Sequence, residues 1–124
     1  MLGHGFPQGL VVGGRVVIDD SFADLLRGQA ENIFVFCNAD LYMQRNGLKG
    51  FATGMFVSDS IEAHIFNVDA SPTEIAASNA LFARLLGRVI DCKAIQIIDY
   101  LDKNYHIRGN EAVEYNRARL RYFE

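Results

Sequence analysis

Short runs of apolar residues, separated by turn residues, dominate the first part of the chain and predict strands. Two β-branched runs, residues 10–12 and 15–18, flank a Gly-Gly pair at 13–14. Consecutive glycines suit the positive φ angles of a type I′ turn, so we expect a β-hairpin here. Residues 1–9 hold three glycines and one proline, which indicates a loose leader.

Residues 33–68 carry the pattern of three further strands. Residues 33–44 begin as an apolar run and then alternate between apolar and polar positions. An Asn-Gly pair at 46–47 follows, and this pair is a strong hairpin turn signal. Residues 48–57 and 61–68 continue the apolar pattern on either side of a Ser-Asp-Ser turn. We therefore expect a three-stranded antiparallel meander.

Helical patterns are fewer. Residues 19–28 predict a short helix that begins at an acidic or Ser cap and ends at a glycine. Ser71 and Glu74 form a capping box that opens a long helix over about residues 72–90. Residues 111–122 are rich in Ala, Glu, Arg and Leu, which favours a second short helix.

Residues 94–101 predict another strand, and residues 105–108 a short return strand. The expected fold is therefore a single α+β domain over residues 1–124. It is a two-layer sandwich whose mostly antiparallel sheet contains the N-terminal hairpin, the meander and a C-terminal hairpin. One long and two short helices complete it.

Counting outward from the two turns of the meander assigns cross-strand neighbours. Asn38, Met55 and His64 then form one row, and Asp40, Thr53 and Phe66 form the next. Side chains alternate with period two, so these rows share one face. That face combines aromatic or thioether side chains with polar ones, namely Phe36, Tyr42, Phe51, Met55 and Phe66 with Asn38, Asp40, Thr53 and His64.

Three interpretations of this face compete. A large apolar patch with a few polar groups is typical of a small-molecule pocket, walled by Tyr42, Phe51, Met55 and Phe66 and oriented by Asn38 and Thr53. The same composition is typical of an interface between subunits. The face is also compatible with a second core layer whose polar groups bond to the backbone. Our leading hypothesis is a homo-oligomeric domain that binds a small apolar or aromatic molecule.

An enzyme is the second hypothesis, and a pure protein-interaction module is the third. A histidine in an apolar setting can act near neutral pH, so His64 is the candidate general acid or base and Asp40 its partner. Glu62 and His64 share a face, but a zinc site needs three or four converging ligands, and no metal or cofactor is expected. A structural histidine is the alternative interpretation.

Composition narrows the class of protein further. The net charge of −3 argues against a nucleic-acid backbone binder, although three arginines crowd the C-terminus. Two cysteines are too few for a disulfide-stapled secreted domain. No apolar run reaches the roughly 20 residues that span a bilayer, and no signal peptide is recognisable. We expect a cytoplasmic protein whose partners are a second copy of itself and a small molecule.

Overall fold

The computed structural model describes residues 4–124, with six strands and six helices in that part of the chain. Two compact units divide these residues. The N-terminal unit contains the described residues up to Met55 together with Leu120–Glu124, and the C-terminal unit is Phe56–Arg119. The presence of both helices and mostly antiparallel strands confirms the predicted α+β class. The single domain and the two-layer layout stay predictions.

The first sheet of the N-terminal unit has the order β1-β2-β3, with antiparallel neighbours. Its strands are β1 (His4–Phe6), β2 (Gly9–Val12) and β3 (Arg15–Ile18). The turn between β2 and β3 has φ 57° at Gly13 and 74° at Gly14, which confirms the predicted hairpin.

Strand β1 contradicts the prediction of a loose leader for the described part of residues 1–9. Residues 1–3 lie outside the described residues. Gly5 sits so close to the backbone of Cys37 that a Cβ atom would lie 1.8 Å from the carbonyl oxygen. A residue without a side chain is therefore needed for close packing, not for looseness.

The second sheet has the order β4-β5-β6. Strands β4 (Asn32–Phe34) and β5 (Gly50–Thr53) are parallel, and β5 pairs antiparallel with β6 (Leu120–Phe123). Helix α1 (Asp20–Leu26) is the predicted short helix, and α2 (Ala39–Asn46) connects the two parallel strands. The expected single sheet is therefore two small sheets.

The predicted meander is wrong, because two of its three strands are largely helical. Residues 39–46 form α2, and Ser60–Ile65 form α3. Gly47, which we assigned to a hairpin turn, has φ 63° and instead ends α2, donating its N–H to Gln44 and Met43 carbonyls. Asp59, assigned to the next turn, caps α3 by accepting the Glu62 N–H.

Helices build the C-terminal unit. They are α3, α4 (Pro72–Val89), α5 (Ala94–Asn104) and α6 (Glu111–Arg117). The long helix is confirmed as α4, including its Ser71–Glu74 capping box. The final helix is confirmed as α6, although it ends at Arg117 and residues 120–123 form β6.

The predicted C-terminal hairpin is wrong, because residues 94–101 lie within α5. Its buried residues Ala94, Ile97 and Leu101 are spaced three and four apart, which is the spacing of one helical face. Residues 105–108 form no strand. With α2, α3 and α5 added, the described residues contain more helices than the one long and two short helices expected.

Each unit has its own hydrophobic core. The N-terminal core contains Leu10, Ala23, Phe36, Ala39, Tyr42, Met43, Leu48 and Ala52. A core cluster of the C-terminal unit contains Val57, Ala63, Ile75 and Ala112. Among the described residues, no helix combines the length and the apolar character needed to cross a bilayer.

Candidate functional site

Three of the predicted ligand-binding residues are core residues of the N-terminal unit. Tyr42, Phe51 and Thr53 are almost fully buried. The Tyr42 hydroxyl donates to the Asp19 carbonyl at 2.7 Å, and the Thr53 hydroxyl donates to the Phe36 carbonyl at 3.0 Å. Burial, with the nearby charges of Asp20 and Asp19, raises the pKa of Tyr42. Their polar groups bond to the backbone, as the core-layer interpretation expects.

Asn38, Met55 and Asp40 lie beside this core. The Asn38 side-chain amide contacts the Gly5 carbonyl at 3.4 Å and the Met55 sulfur at 3.8 Å. Asn38 itself has φ 64° and precedes α2. Asp40 is in the first turn of α2, where its carboxylate accepts the Leu41 N–H at 2.9 Å.

His64 and Phe66 belong to the C-terminal unit, at the end of α3. The His64 imidazole is exposed and forms no hydrogen bond or ion pair with other described residues. Phe66 packs on Tyr115, with ring centroids 6.0 Å apart. Because residues 39–46 and 60–65 are helical, the cross-strand rows that placed His64 and Asp40 on one face do not exist. Their catalytic role stays a prediction.

A different surface has the geometry of a binding site. It is a cavity of about 310 Å³ on one face of the first sheet, which we call the sheet cavity. Residues of all three strands, of the turn between β1 and β2 and of the α1 N-cap line it, namely Phe6, Gln8, Gly9, Val11, Val16, Ile18 and Asp19. Phe6 is 51 % exposed and Val16 is 63 % exposed. These apolar side chains face an open space.

Strand pairing explains the lining. Val11 and Val16 are direct cross-strand partners, so their side chains stand side by side on one face. Phe6 pairs with Gly9, where the absence of a side chain lets the Ile18 backbone approach, since a Cβ atom there would lie 1.8 Å from the Ile18 carbonyl oxygen. The hairpin predicted from the glycines already implies the Val11–Val16 pair. The interpretation of residues 1–9 as a loose leader missed β1 and with it Phe6, although Pro7 and Gly9 suit the turn that joins β1 to β2.

Asp19 supplies the charge at this cavity. Its carboxylate caps α1 by accepting the N–H groups of Ser21 at 3.0 Å and Phe22 at 3.2 Å, and also the Ser21 hydroxyl. The hydrogen bond from the Ser21 hydroxyl and then that from the Phe22 backbone hold the pKa of Asp19 below its ordinary value of 3.8. The carboxylate is therefore ionised at neutral pH.

The sheet cavity combines an apolar wall with one fixed negative charge. Among the lining residues whose side chains the structure describes, Asp19 is the only titratable one. No group of three or more potential metal ligands occurs among residues 4–124. Comparison with family models, with curated proteins and with solved structures finds no match for this chain.

Proposed function

We propose that the protein is a binding module that holds a small, largely apolar molecule with a positively charged end in the sheet cavity. The observation that carries this proposal is the lining: Phe6, Val11, Val16 and Ile18 form an apolar wall, and Asp19 adds a charged residue to it. Few polar groups in an apolar lining are typical of small-molecule sites. The volume is at the lower end of the range for such sites.

Apolar contact supplies most of the binding free energy in this proposal. Covering exposed apolar surface contributes about 25 cal/mol per Å². Val16 is the more exposed of the two valines in the lining, so it has more apolar surface for a bound molecule to cover. The charge of Asp19 then orients the molecule, because an ammonium group near a carboxylate is favoured over an anion. A flat aromatic ring with an aminoalkyl chain has this chemistry.

Titration of the protein with phenethylamine, followed by amide NMR shifts, tests the proposal. We expect saturable shifts at residues lining the sheet cavity. Val16→Ser removes apolar contact and is expected to weaken binding about fivefold. Val12→Ser is the matched control, because Val12 is also exposed on the hairpin but does not line the cavity. Equal effects of both substitutions, or no saturable shift, would contradict the proposal.

Self-association is a second candidate, favoured by the edge strand β3. This strand is at the end of its sheet, and both Val16 and Val17 are exposed. Arg15 begins β3 and Asp19 follows it. Antiparallel pairing of two copies centred on Val17 sets each Arg15 opposite Asp19 of the other copy. Pairing along the edge leaves the apolar wall of the sheet cavity open, but Arg15 of the other copy then shares the Asp19 carboxylate with a bound ammonium group.

Sedimentation velocity over a range of protein concentrations tests this candidate. A reversible dimer is expected, and Arg15→Glu should weaken it about tenfold, because two attractive charge pairs become repulsive. Arg108→Glu makes the same charge change at an exposed position of the C-terminal unit and should leave the dimer unchanged. A monomer at all concentrations would contradict self-association.

The enzyme hypothesis with His64 and Asp40 stays open, and no contact of either side chain supports it. Neither Cys37 nor Cys92 is in a disulfide. Reduced cysteines are the ordinary state in a reducing compartment, so we propose that the binding module is cytoplasmic.

A further inference from the structure

The C-terminal unit has a cavity of its own, independent of the sheet cavity. Its volume is about 390 Å³, and its lining comes from one face of α4 and from the segment after α5. The lining residues are Ala77, Ala80, Leu81, Arg84, His106 and Ile107. Ala80, Leu81 and Arg84 follow Ala77 by three, four and seven residues, so all four lie on one side of α4.

Arg84 is the unpaired charge of this cavity. Its guanidinium forms no hydrogen bond or ion pair with any described residue. Arg45 and Arg117, in contrast, each contact a carboxylate in their own unit. A planar guanidinium matches a carboxylate with two parallel hydrogen bonds, so an unpaired one beside a cavity is suited to an anion.

His106 adds a second polar group to the lining. Its Nδ1 lies 3.1 Å from a Glu114 carboxylate oxygen. A neutral imidazole that donates from Nδ1 presents Nε2 as its other polar atom. The second Glu114 oxygen lies 3.6 Å from the Arg117 guanidinium, which compensates the negative charge near the cavity.

The remaining lining is apolar and small. Ala77 and Ala80 present only methyl groups, and the larger side chains of Leu81 and Ile107 are half-buried. Such a surface suits a short hydrocarbon body and not a highly hydrated anion. We propose that this cavity binds a small carboxylate with a short apolar body, held by Arg84 at the carboxylate and by Ala77, Ala80 and Ile107 along the chain.

Titration with sodium hexanoate at constant ionic strength, followed by amide NMR shifts, tests the site. Saturable shifts are expected at Ala80, Arg84 and Ile107. Arg84→Gln should weaken hexanoate binding about fivefold, which is the range for an exposed charge pair. Arg88→Gln is the matched control: it removes the same charge from the next turn of α4, outside the lining, and should change the affinity less than twofold.

Two further probes separate a carboxylate site from its alternatives. Hexan-1-ol has the same body without the charge and should bind more weakly than hexanoate. Inorganic phosphate should not displace hexanoate at equal concentration. Equal binding of hexanoate and hexan-1-ol, equal effects of the two arginine substitutions, or displacement by phosphate would each overturn the proposal.

Discussion

The buried amide of Asn116 is the contact whose removal should be most costly in the C-terminal unit. Asn116 is fully buried. Its side-chain oxygen accepts the Val57 N–H at 2.7 Å, and its side-chain nitrogen donates to the Val57 carbonyl at 3.0 Å. The same nitrogen lies 3.3 Å from the Tyr105 hydroxyl. One side chain thus satisfies both backbone groups of a buried residue distant in sequence.

Asn116→Leu keeps a side chain of similar length but leaves both Val57 groups without these partners. Each buried polar group left unsatisfied costs about 1–3 kcal/mol. The added apolar burial of leucine returns about 1–2 kcal/mol. We therefore expect the free energy of unfolding to fall by about 3 kcal/mol.

Urea unfolding followed by the helical circular dichroism signal measures this change. Asn79→Leu is the matched control, because Asn79 donates to the Ser58 carbonyl at 2.9 Å from an exposed position where water can replace it. We expect that control to cost less than about 1 kcal/mol. Equal losses for both substitutions would refute the argument that burial makes the Asn116 contacts costly.

Two further predictions concern a phenol and a glycine. Burial raises the pKa of Tyr105, partly offset by hydrogen bonds with Ser78 and Asn116. The unfolded chain therefore loses this proton first, and stability that is complete below pH 10.0 falls as the pH rises further. In alkaline unfolding titrations, Tyr105→Phe should reduce this fall by up to about 1.4 kcal/mol per pH unit, and an unchanged slope would exclude the effect. Gly5→Ala should cost about 2 kcal/mol or more in thermal unfolding, because its Cβ would overlap the Cys37 carbonyl. Gly28→Ala, with no heavy atom nearby, should be neutral or stabilising, and similar losses at both glycines would be the contrary result.

Local signals predicted the elements that depend on a few adjacent residues. The Gly13-Gly14 turn and the Ser71–Glu74 capping box both appear at the expected positions. Each acts through backbone angles or hydrogen bonds within four residues. These local structures therefore form whatever the rest of the fold is.

Residues 39–46 show why the meander could not be distinguished from a helix. Ala39, Leu41 and Met43 alternate with polar residues, which indicates a strand. The structure instead buries Ala39, Tyr42 and Met43, at helical spacing, and exposes Leu41. Gly47 supplies a positive φ, and both a hairpin turn and a helix C-terminus use one. Periodicity over so short a segment fits both structures.

Long-range pairing explains why β6 was missed. Strand β6 pairs with β5 although α3, α4, α5 and α6 lie between them in the chain. No pattern within residues 120–123 indicates that partner. The sheet cavity, in contrast, needs β1, which pairs with β2 across the short turn at residues 7–8. The hairpin half of the cavity was predicted, and the Phe6 wall was not.

A comparison of a cationic with an anionic ligand tests the proposed function of the sheet cavity most directly. Phenethylamine and 3-phenylpropionate share an aromatic body and differ in charge. Asp19→Asn removes the carboxylate but keeps a residue that caps helices equally well. We predict that the wild-type protein binds the amine about fivefold more tightly than the carboxylate, and that Asp19→Asn abolishes this preference. Equal affinities in the wild type, or an unchanged preference in the variant, would contradict the proposal.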